Sequence, residues 1–178
     1  MTQISSIKLE SSRLYLQPLT FEQLFFYKTH DPMLETELGL LPGTRPLTQE
    51  FTEVIETSNI PYVKVFPQHI LFGTLWAIIH KKNNVVIGDI GFKGAPTASG
   101  LIEVGYGIYL EYRNKGYMSE ALNVLTEWAF GIPEVKIILA ETDRNNLPSQ
   151  RTLAKNNFTP FAETDTMYWW RLDKEVVN

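Results

Sequence analysis

The pattern of hydrophobic and polar positions is clearest in the middle of the chain. Two apolar stretches, 75–80 and 85–93, flank the polar residues 81–84, and this arrangement predicts a β-hairpin. In the stretch 101–110, apolar residues recur at every second position, which predicts a strand with one buried face. The residues of that face are Ile102, Val104, Tyr106, Ile108 and Leu110.

The spacing then changes to that of a helix. Apolar residues three and four positions apart predict a helix that ends at about Phe130, where Gly131 and Pro133 stop it. A strand at 135–141 follows, then a short helix from Pro148 to about 157, and a last strand at 166–172. The predicted buried face of the first helix consists of Met118, Ala121, Leu122, Leu125 and Ala129.

The first part of the chain has a less regular pattern. Residues 13–19 predict a strand, and Thr20 with Gln23 forms a capping box that opens a helix to about residue 30. The Gly- and Pro-rich stretch 33–46 predicts a loop. Thr48 can cap another helix, whose apolar face would hold Phe51, Val54 and Ile55, whereas 61–73 has no clear assignment. Hairpins followed by alternating strands and helices predict a mixed α/β domain that spans residues 1–178.

The composition limits the classes of function and partner that the chain can have. The chain has 178 residues, 44% of them hydrophobic, which suits one globular domain. The net charge of −4 argues against nucleic acid and leaves amines as acceptable partners. There is no cysteine, so a thiol nucleophile is excluded, and the three histidines lack metal-ligand spacing, so no metal is expected. We expect a cytoplasmic protein with no membrane partner, because no apolar stretch is long enough to span a bilayer and residues 1–10 do not resemble a signal peptide.

The segment 103–119 carries a candidate anion site. A predicted strand leads into Arg113, Asn114, Lys115 and Gly116, and a helix begins at once. The start of a helix offers unpaired N–H groups and partial positive charge, which together suit a phosphate group. Gly116 would let a ligand approach the backbone closely. An ordinary solvated loop explains these local features equally well.

Two sequence motifs resemble those of the GNAT acetyltransferases. The sequence Arg113-x-x-Gly116-x-Met118 is similar to the loop that binds the pyrophosphate of acetyl-CoA, except that Met118 replaces the usual small residue. The segment 146–158 is similar to the family's Asn-x-x-Ser-x-x-x-Leu-x-Lys-x-Gly-Phe motif. Asn157 stands there in place of glycine, and asparagine is the usual second choice for a left-handed residue that closes a helix.

The resemblance implies a GNAT-like fold and the place of the cofactor. A central, mostly antiparallel sheet, flanked by helices, would splay open between two parallel strands, 101–110 and 135–141. Acetyl-CoA would bind to a core at about 75–160, and the acceptor would face loops at about 31–73. The cofactor-binding residues would be Ile108, Tyr109, Leu110, Arg113, Asn114, Lys115, Gly116, Tyr117, Met118, Ser119, Asn146 and Ser149. Gly105 and Gly107 fit a close approach of the ligand or a β-bulge.

The resemblance also suggests catalytic residues. Glu103 is the first candidate for the base that deprotonates the amine; Glu141 is the rival, and a chain of water molecules is a third route. Ser149 would donate a proton to the departing thiolate, or would be an ordinary serine of the first helical turn. Asn146 would bind the pantetheine arm of the cofactor or cap the helix. Glu103 could equally be a solvated or salt-bridged residue of the sheet.

The resemblance is strongest to the ribosomal-protein-alanine (RimJ/RimL-like) type of GNAT enzyme. It implies transfer of an acetyl group from acetyl-CoA to a primary amine, either a protein N-terminus or a small molecule. Direct attack in a ternary complex is favoured, because the chain has no cysteine to carry the acetyl group. The alternative is a CoA-binding sensor or interaction module without turnover. The sequence does not distinguish a monomer from a homodimer.

Overall fold

The computed structural model describes residue 4 and residues 7–175, and its framework is one eight-stranded sheet with the order β1-β2-β3-β4-β5-β6-β8-β7. Neighbouring strands run antiparallel, except that β5 and β6 are parallel. The predicted mixed α/β class is therefore confirmed. The strands are β1 (Leu9–Glu10), β2 (Leu14–Pro18), β3 (Leu75–His80), β4 (Val85–Phe92), β5 (Leu101–Ile108), β6 (Ile137–Asp143), β7 (Thr159–Glu163) and β8 (Met167–Asp173).

Helices cover both faces of the sheet. Five helices lie between β2 and β3, one follows β5 and one follows β6, and a π-helical turn, Ile55–Asn59, joins the third to the fourth. The helices are α1 (Phe21–Thr29), α2 (Met33–Leu38), α3 (Gln49–Val54), α4 (Ile60–Val65), α5 (Ile70–Gly73), α6 (Tyr117–Phe130) and α7 (Leu147–Lys155). None of the helices in the described part of the chain has the length and apolar character needed to span a membrane.

The core consists of two clusters, one on each face of the sheet. On one face, α6 buries the predicted apolar side chains against residues of β2 to β6, including Trp76 and Ile90. On the other face, α1 to α4 pack against β3 and β4 through residues such as Leu24, Tyr27 and Ile79. Each fully buried large apolar side chain contributes about 1.5–3 kcal/mol. The sheet is packed on both faces, by α6 on one side and by α1 to α4 on the other, and is therefore a rigid base for the loops at its edges.

The start of the predicted strand 101–110 is correct, but its end is not. The strand ends at Ile108, and Leu110 begins a 3-10 turn that ends at Tyr112. Leu110 is 74% exposed, so its predicted place on the buried face is wrong. The last hydrogen bond from this segment to β4 is donated by the backbone N–H of Tyr109 to the carbonyl oxygen of Ile87 (2.9 Å). Beyond this bond the chain leaves the sheet.

Several elements between residues 33 and 73 and at the C-terminal edge of the sheet differ from the prediction. The expected loop 33–46 contains α2, which ends at Gly39 with a left-handed φ of 66°. The unassigned stretch 61–73 is mostly helical, and Val54 is exposed although Ile55 is buried. The edge strand β7 was not predicted. All five of its residues are exposed, so the strand has no alternation of buried and exposed positions.

Candidate functional site

A gap opens in the sheet between the two parallel strands. β5 and β6 pair from Leu101↔Ile137 to Val104↔Ala140, and both strands continue beyond that last pair without pairing to each other. The opening lies where the family resemblance places it. Beyond the last pair, Thr142 of β6 has a buried hydroxyl without a hydrogen-bond partner among the described residues.

The N-terminus of α6 lies at the end of β5 that borders the gap. Gly116 caps the helix with a left-handed φ of 79°, and no side chain accepts a hydrogen bond from the first turn. A Cβ added to Gly116 would meet only a guanidinium nitrogen of Arg13, at 3.5 Å. The first N–H groups of the helix thus remain available to an anion, and the glycine keeps the approach to them open.

Arg13 is a cation that the sequence analysis did not assign to this site. Its Nη1 donates to the carbonyl oxygen of Lys115 (3.0 Å), and its guanidinium lies 4.4 Å from the centre of the Tyr117 ring. Its Nε donates to Glu120 Oε2 (2.7 Å). No local motif could have found this residue, because it lies about a hundred positions away from the loop.

Glu120 fastens the start of α6 to the segment before β2. Its carboxylate accepts hydrogen bonds from the hydroxyls of Ser11 and Ser12 and from the backbone N–H of Arg13. Partial burial pushes the pKa of Glu120 up, but hydrogen bonds, chiefly from Ser11 and Arg13, outweigh burial and lower the pKa to about 2. Glu120 is therefore ionised at neutral pH, and it holds Arg13 beside the helix N-terminus.

The other residues of the loop differ in where their side chains lie. Arg113 lines the cavity described below, and its Nε donates to the carbonyl oxygen of Ile108 (3.2 Å). Lys115 turns back, because its Nζ donates to the carbonyl oxygen of Glu111 (2.8 Å). Asn114 has a left-handed φ of 58°. Of the two predicted cations, Arg113 is the one that faces the cavity.

Three further predicted cofactor residues belong to the first turn of α6. Met118 is buried in the core, so the residue that departs from the family pattern faces away from the helix N-terminus. The hydroxyl of Tyr117 forms a hydrogen bond with Nε2 of His80 (3.0 Å), and Ser119 accepts one from Asn156 (2.9 Å). Met118 and Tyr117 therefore offer a bound anion only their backbone, whereas Ser119, which accepts the bond from Asn156, keeps a hydroxyl proton to donate.

The second motif brings Ser149 next to an unexpected tyrosine. The hydroxyls of Ser149 and Tyr106 lie 2.9 Å apart and link α7 to β5. Burial raises the pKa of Tyr106 to about 12, although the bond to Ser149 lowers it slightly. The side chain of Asn146 accepts from the backbone N–H of Ser149 (3.2 Å), so Asn146 caps α7. Asn157 has the predicted left-handed φ, 63°.

The two glutamates considered as bases lie in different settings. Glu103 forms an ion pair with Lys93, a residue that lines the cavity. Glu141 belongs to β6, where it pairs with Trp169 of β8. Glu103 and the cavity residues Gly105 and Gly107 alternate along β5 and therefore share one face of the sheet. Glu103 thus lies at the border of the cavity and is already bound to a cation.

Gly105 and Gly107 leave the surface of β5 open. The register between β4 and β5 is continuous through both glycines, so the bulge interpretation is wrong at this position. A Cβ at Gly105 would meet nothing within 4 Å, and one at Gly107 would meet only the carboxylate of Asp89, at 3.8 Å. The sheet does contain irregular register elsewhere, between β3 and β4 at Ile78/Ile79 and between β7 and β8 at Pro160/Ala162.

A cavity of about 760 Å³ extends from the residues of β5 beside the gap to the segments between residues 46 and 62. Its walls come from the backbone of 105–110 and Arg113 on one side and from residues between 46 and 62 on the other. Asp89, a single acidic residue in the apolar strand β4, lines it as well. Asp89 is not among the predicted site residues, although a lone acid among the apolar residues of a predicted strand is a signal for a functional group.

Asp89 belongs to a buried chain of hydroxyl groups. The hydroxyl of Tyr27 donates to Asp89 Oδ2 (2.8 Å) and lies 2.8 Å from the hydroxyl of Tyr109. Burial raises the pKa of Asp89 to about 7, although the bond from Tyr27 lowers it. Burial also raises the pKa of Tyr27 and of Tyr109 well above the usual value, so both hydroxyls keep their protons.

The site contains residues that fit acetyl-CoA. The open backbone N–H groups at Gly116 suit the diphosphate, and the gap beyond Val104 suits an extended chain that adds to the edge of β5. Within the described residues, no group of three or more His, Cys, Asp or Glu side chains is placed to hold a metal ion.

Comparison with known proteins agrees with this geometry. Residues 13–159 match the family described as "Acetyltransferase (GNAT) domain". An "Uncharacterized N-acetyltransferase YjdG" from Bacillus subtilis is 33% identical over 159 residues, which cover 85% of this chain and 89% of the relative.

Solved structures share the fold at lower identity. A ribosomal-protein-S5-alanine acetyltransferase from Vibrio fischeri has a TM-score of 0.70 and 18% identity, with 96% of this chain and 98% of that one covered. RimL, a ribosomal L7/L12 α-N-protein acetyltransferase solved in complex with coenzyme A, has a TM-score of 0.68 and 14% identity, with 94% and 98% covered. With the family match over most of the chain, the gap in the sheet and the open N-terminus of α6, this protein belongs to the GNAT family and is an acetyl-CoA-dependent N-acetyltransferase.

Proposed function

We propose that this enzyme transfers the acetyl group to a primary amine by direct attack in a ternary complex. The observation that supports the proposal best is that one continuous cavity extends from Ile108 and Arg113 at the gap to residues between 46 and 62, where the acceptor would bind. Two substrates that bind at opposite ends of one cavity can react without a covalent enzyme intermediate. The chain has no cysteine that could carry the acetyl group.

The diphosphate of acetyl-CoA would bind the N–H groups of the first turn of α6, with Arg13 and Arg113 nearby. The pantetheine arm would enter the gap along β5. The backbone N–H of Tyr109 points to β4, where it is hydrogen-bonded. Because the backbone N–H and C=O groups of successive strand residues point to opposite sides, those of Tyr106 and Ile108 point toward the gap. Acetyl-CoA supplies an activated thioester, and a backbone N–H at this edge would polarise its carbonyl group.

Acceptance of the acetyl group requires a neutral amine, whereas a free alkyl ammonium loses its proton only near pH 10. Glu103, Glu141 and a chain of water molecules are the routes that the sequence proposes for this proton. On the other side of the reacting carbon, Ser149 would protonate the departing thiolate. Its contact with Tyr106, which stays protonated at neutral pH, supports this role because the tyrosine can replace the proton that the serine gives away.

A screen for acceptors tests the proposed function. Purified protein is mixed with acetyl-CoA and with small primary amines or peptides that have free N-termini, and the release of thiol is recorded. The chain has no cysteine, so the protein itself adds no thiol signal. We expect thiol release with at least one amine and none with its N-acetylated counterpart. If acetyl-CoA binds but no amine releases thiol, the protein is a CoA-binding module and the proposed function is wrong.

Removal of the serine hydroxyl should slow the chemical step. For Ser149→Ala we expect a kcat about 10–100-fold lower with little change in the KM for acetyl-CoA, because the thiolate would leave without a positioned proton donor. Tyr106→Phe should give a smaller loss, and the double variant should resemble Ser149→Ala, since the tyrosine acts through the serine. Independent, multiplicative losses would contradict a shared proton path. Thr152→Ala, one turn further along α7, is the matched control.

A further inference from the structure

The β-bulge in the hairpin β3–β4 decides which way Asp89 faces. Ile79 pairs with Val86 but Ile78 pairs with Gly88, so Ile87 is an extra residue in β4. A bulge reverses the alternation of side chains beyond it. Asp89 therefore lies opposite Ala77 on the cavity face, whereas a register that continued from Val86 without a bulge would place it opposite Trp76, on the α6 face with the apolar residues of the core.

The cavity leaves one side of this carboxylate uncovered. Asp89 is only 5% exposed and its Oδ2 accepts the hydrogen bond of Tyr27, but Oδ1 has no hydrogen-bond partner among the described residues. The residue opposite on β5 is Gly107, which has no side chain to cover the carboxylate. The carboxylate can therefore accept a hydrogen bond from a group inside the cavity.

The position of Asp89 places the carboxylate close to the proposed acetyl site. Asp89 pairs with Gly107, which lies between Tyr106 and Ile108, the two residues whose backbone borders the gap. Adjacent strands lie about 4.8 Å apart, so the backbone of Asp89 is about one strand spacing from the strand that borders the gap. The rest of the cavity wall is mainly apolar and includes Phe51 and Leu75.

We infer that Asp89 binds the ammonium group of the acceptor and takes up the proton that the amine loses before attack. This inference deepens the proposed function and depends on it for the transfer step. The part of the wall formed by residues such as Phe51 and Leu75 favours an ammonium carried by an apolar group, because a strongly polar carrier would lose its hydration against these side chains. Such a group could belong to a small amine or to the N-terminus of a peptide.

The protons and electrons of the step balance. The nitrogen lone pair forms the new C–N bond while the C–S bond breaks and its electron pair stays on sulfur. Of the three ammonium protons, one remains in the amide and one leaves through Asp89 to solvent. The third balances the proton that Ser149 gives to the thiolate. A base works best when its pKa lies near the working pH, and the burial that raises the pKa of Asp89 to about 7 meets this condition.

Other charged groups near the cavity are less suited to bind an ammonium. Glu103 is occupied by Lys93, which would repel a second cation. Glu35 is bound to Arg45 behind the two tyrosines, which face Asp89 from α1 and from the end of β5. The groups next to Asp89 are thus neutral hydroxyls, and the pH response of the carboxylate should be its own.

The binding test uses matched ligands that differ in charge. Hexylamine, 1-hexanol and a peptide with N-terminal alanine are titrated by calorimetry into the protein saturated with CoA. We expect hexylamine or the peptide to bind and hexanol of the same shape to bind about 30-fold more weakly or not at all, since a desolvated ion pair is lost. The ligand that binds identifies the source of the ammonium group.

The variant Asp89→Asn keeps the size and the hydrogen bond of the residue but removes its charge. We expect it to lose the preference for the amine, while the affinity for CoA and the thermal unfolding temperature are not lowered. Asp165→Asn, at an exposed position in the β7–β8 turn, is the matched control and should behave as the unmodified protein. If Asp89→Asn keeps the preference for the amine, or if the unmodified protein binds no amine, the inference is wrong.

The pH profile tests the proton transfer separately. We expect kcat/KM for the amine to rise with pH through an apparent pKa near 7, and we expect Asp89→Asn to lower it about 100-fold and to abolish this limb. If the limb persists in Asp89→Asn and disappears in Glu103→Gln, Glu103 is the base and the proton role of Asp89 is refuted. If amines bind in a manner that depends on Asp89 but thiol is never released, the proposed function fails alone.

Discussion

Replacing Gly116 by glutamate is expected to lower the affinity for acetyl-CoA at least about 100-fold, measured by calorimetry. The new side chain would stand at the N-terminus of α6, where the φ of 79° disfavours any residue with a Cβ. Its carboxylate would repel the diphosphate and compete with it for Arg13, which lies 3.5 Å from the position of the added Cβ. Both effects weaken binding of the diphosphate at the start of α6.

The same substitution elsewhere provides a matched control. Gly39 also has a left-handed φ, 66°, and a Cβ there would meet nothing within 4 Å. Gly39→Glu therefore introduces the same backbone strain and the same charge at the end of α2, away from the proposed phosphate site. We expect it to lower the unfolding temperature about as much and to leave acetyl-CoA binding unchanged. If Gly116→Glu binds acetyl-CoA as well as this control does, the diphosphate does not lie at α6.

Removal of Arg45 should have the largest effect on stability. Arg45 and Glu35 form a buried ion pair whose side chains are 3% and 7% exposed. The guanidinium also donates to the carbonyl oxygens of Phe26 and Asp31. Arg45→Met would leave the glutamate buried without its partner, which costs about 3–5 kcal/mol. We expect this loss in the free energy of unfolding, measured by urea titration at neutral pH.

Two further variants separate the lost ion pair from lost packing. The double variant Arg45→Met, Glu35→Met removes both charges and should recover much of the stability, because a buried apolar pair does not pay for desolvation. Arg171→Met breaks an exposed ion pair with Asp173 and should leave stability unchanged within error. A single variant as stable as the unmodified protein would contradict the structural role of Arg45. Because Arg45 supports the segment around Tyr27, amine binding should weaken along with stability.

Features that depend on neighbouring residues could be predicted from the sequence. Thr20 and Gln23 form the expected capping box, and Thr48 caps α3 through the N–H of Phe51. Asn157 adopts the left-handed conformation that its place in the motif requires. Caps and turns involve groups within a few positions of each other, so the local sequence contains the information.

Features that depend on distant partners were missed or misplaced. Leu110 continues the alternation of β5, but the strand loses its partner before that residue and the side chain turns outward. Arg13 was assigned to a strand, yet it joins the start of α6 because Glu120 holds it there. The residues next to Leu110 and Arg13 in the chain predict neither outcome.

The sequence by itself determined the family, the strand–loop–helix whose helix begins after Gly116, and the serine at the start of α7. Only the tertiary structure decided that Asp89 faces the cavity, that Tyr106 meets Ser149 and that β5 and β6 separate after Val104 and Ala140. The physical reason is that the side of a strand on which a residue lies depends on its register with a partner strand. One extra residue in β4, at the bulge, reverses that side for every residue that follows.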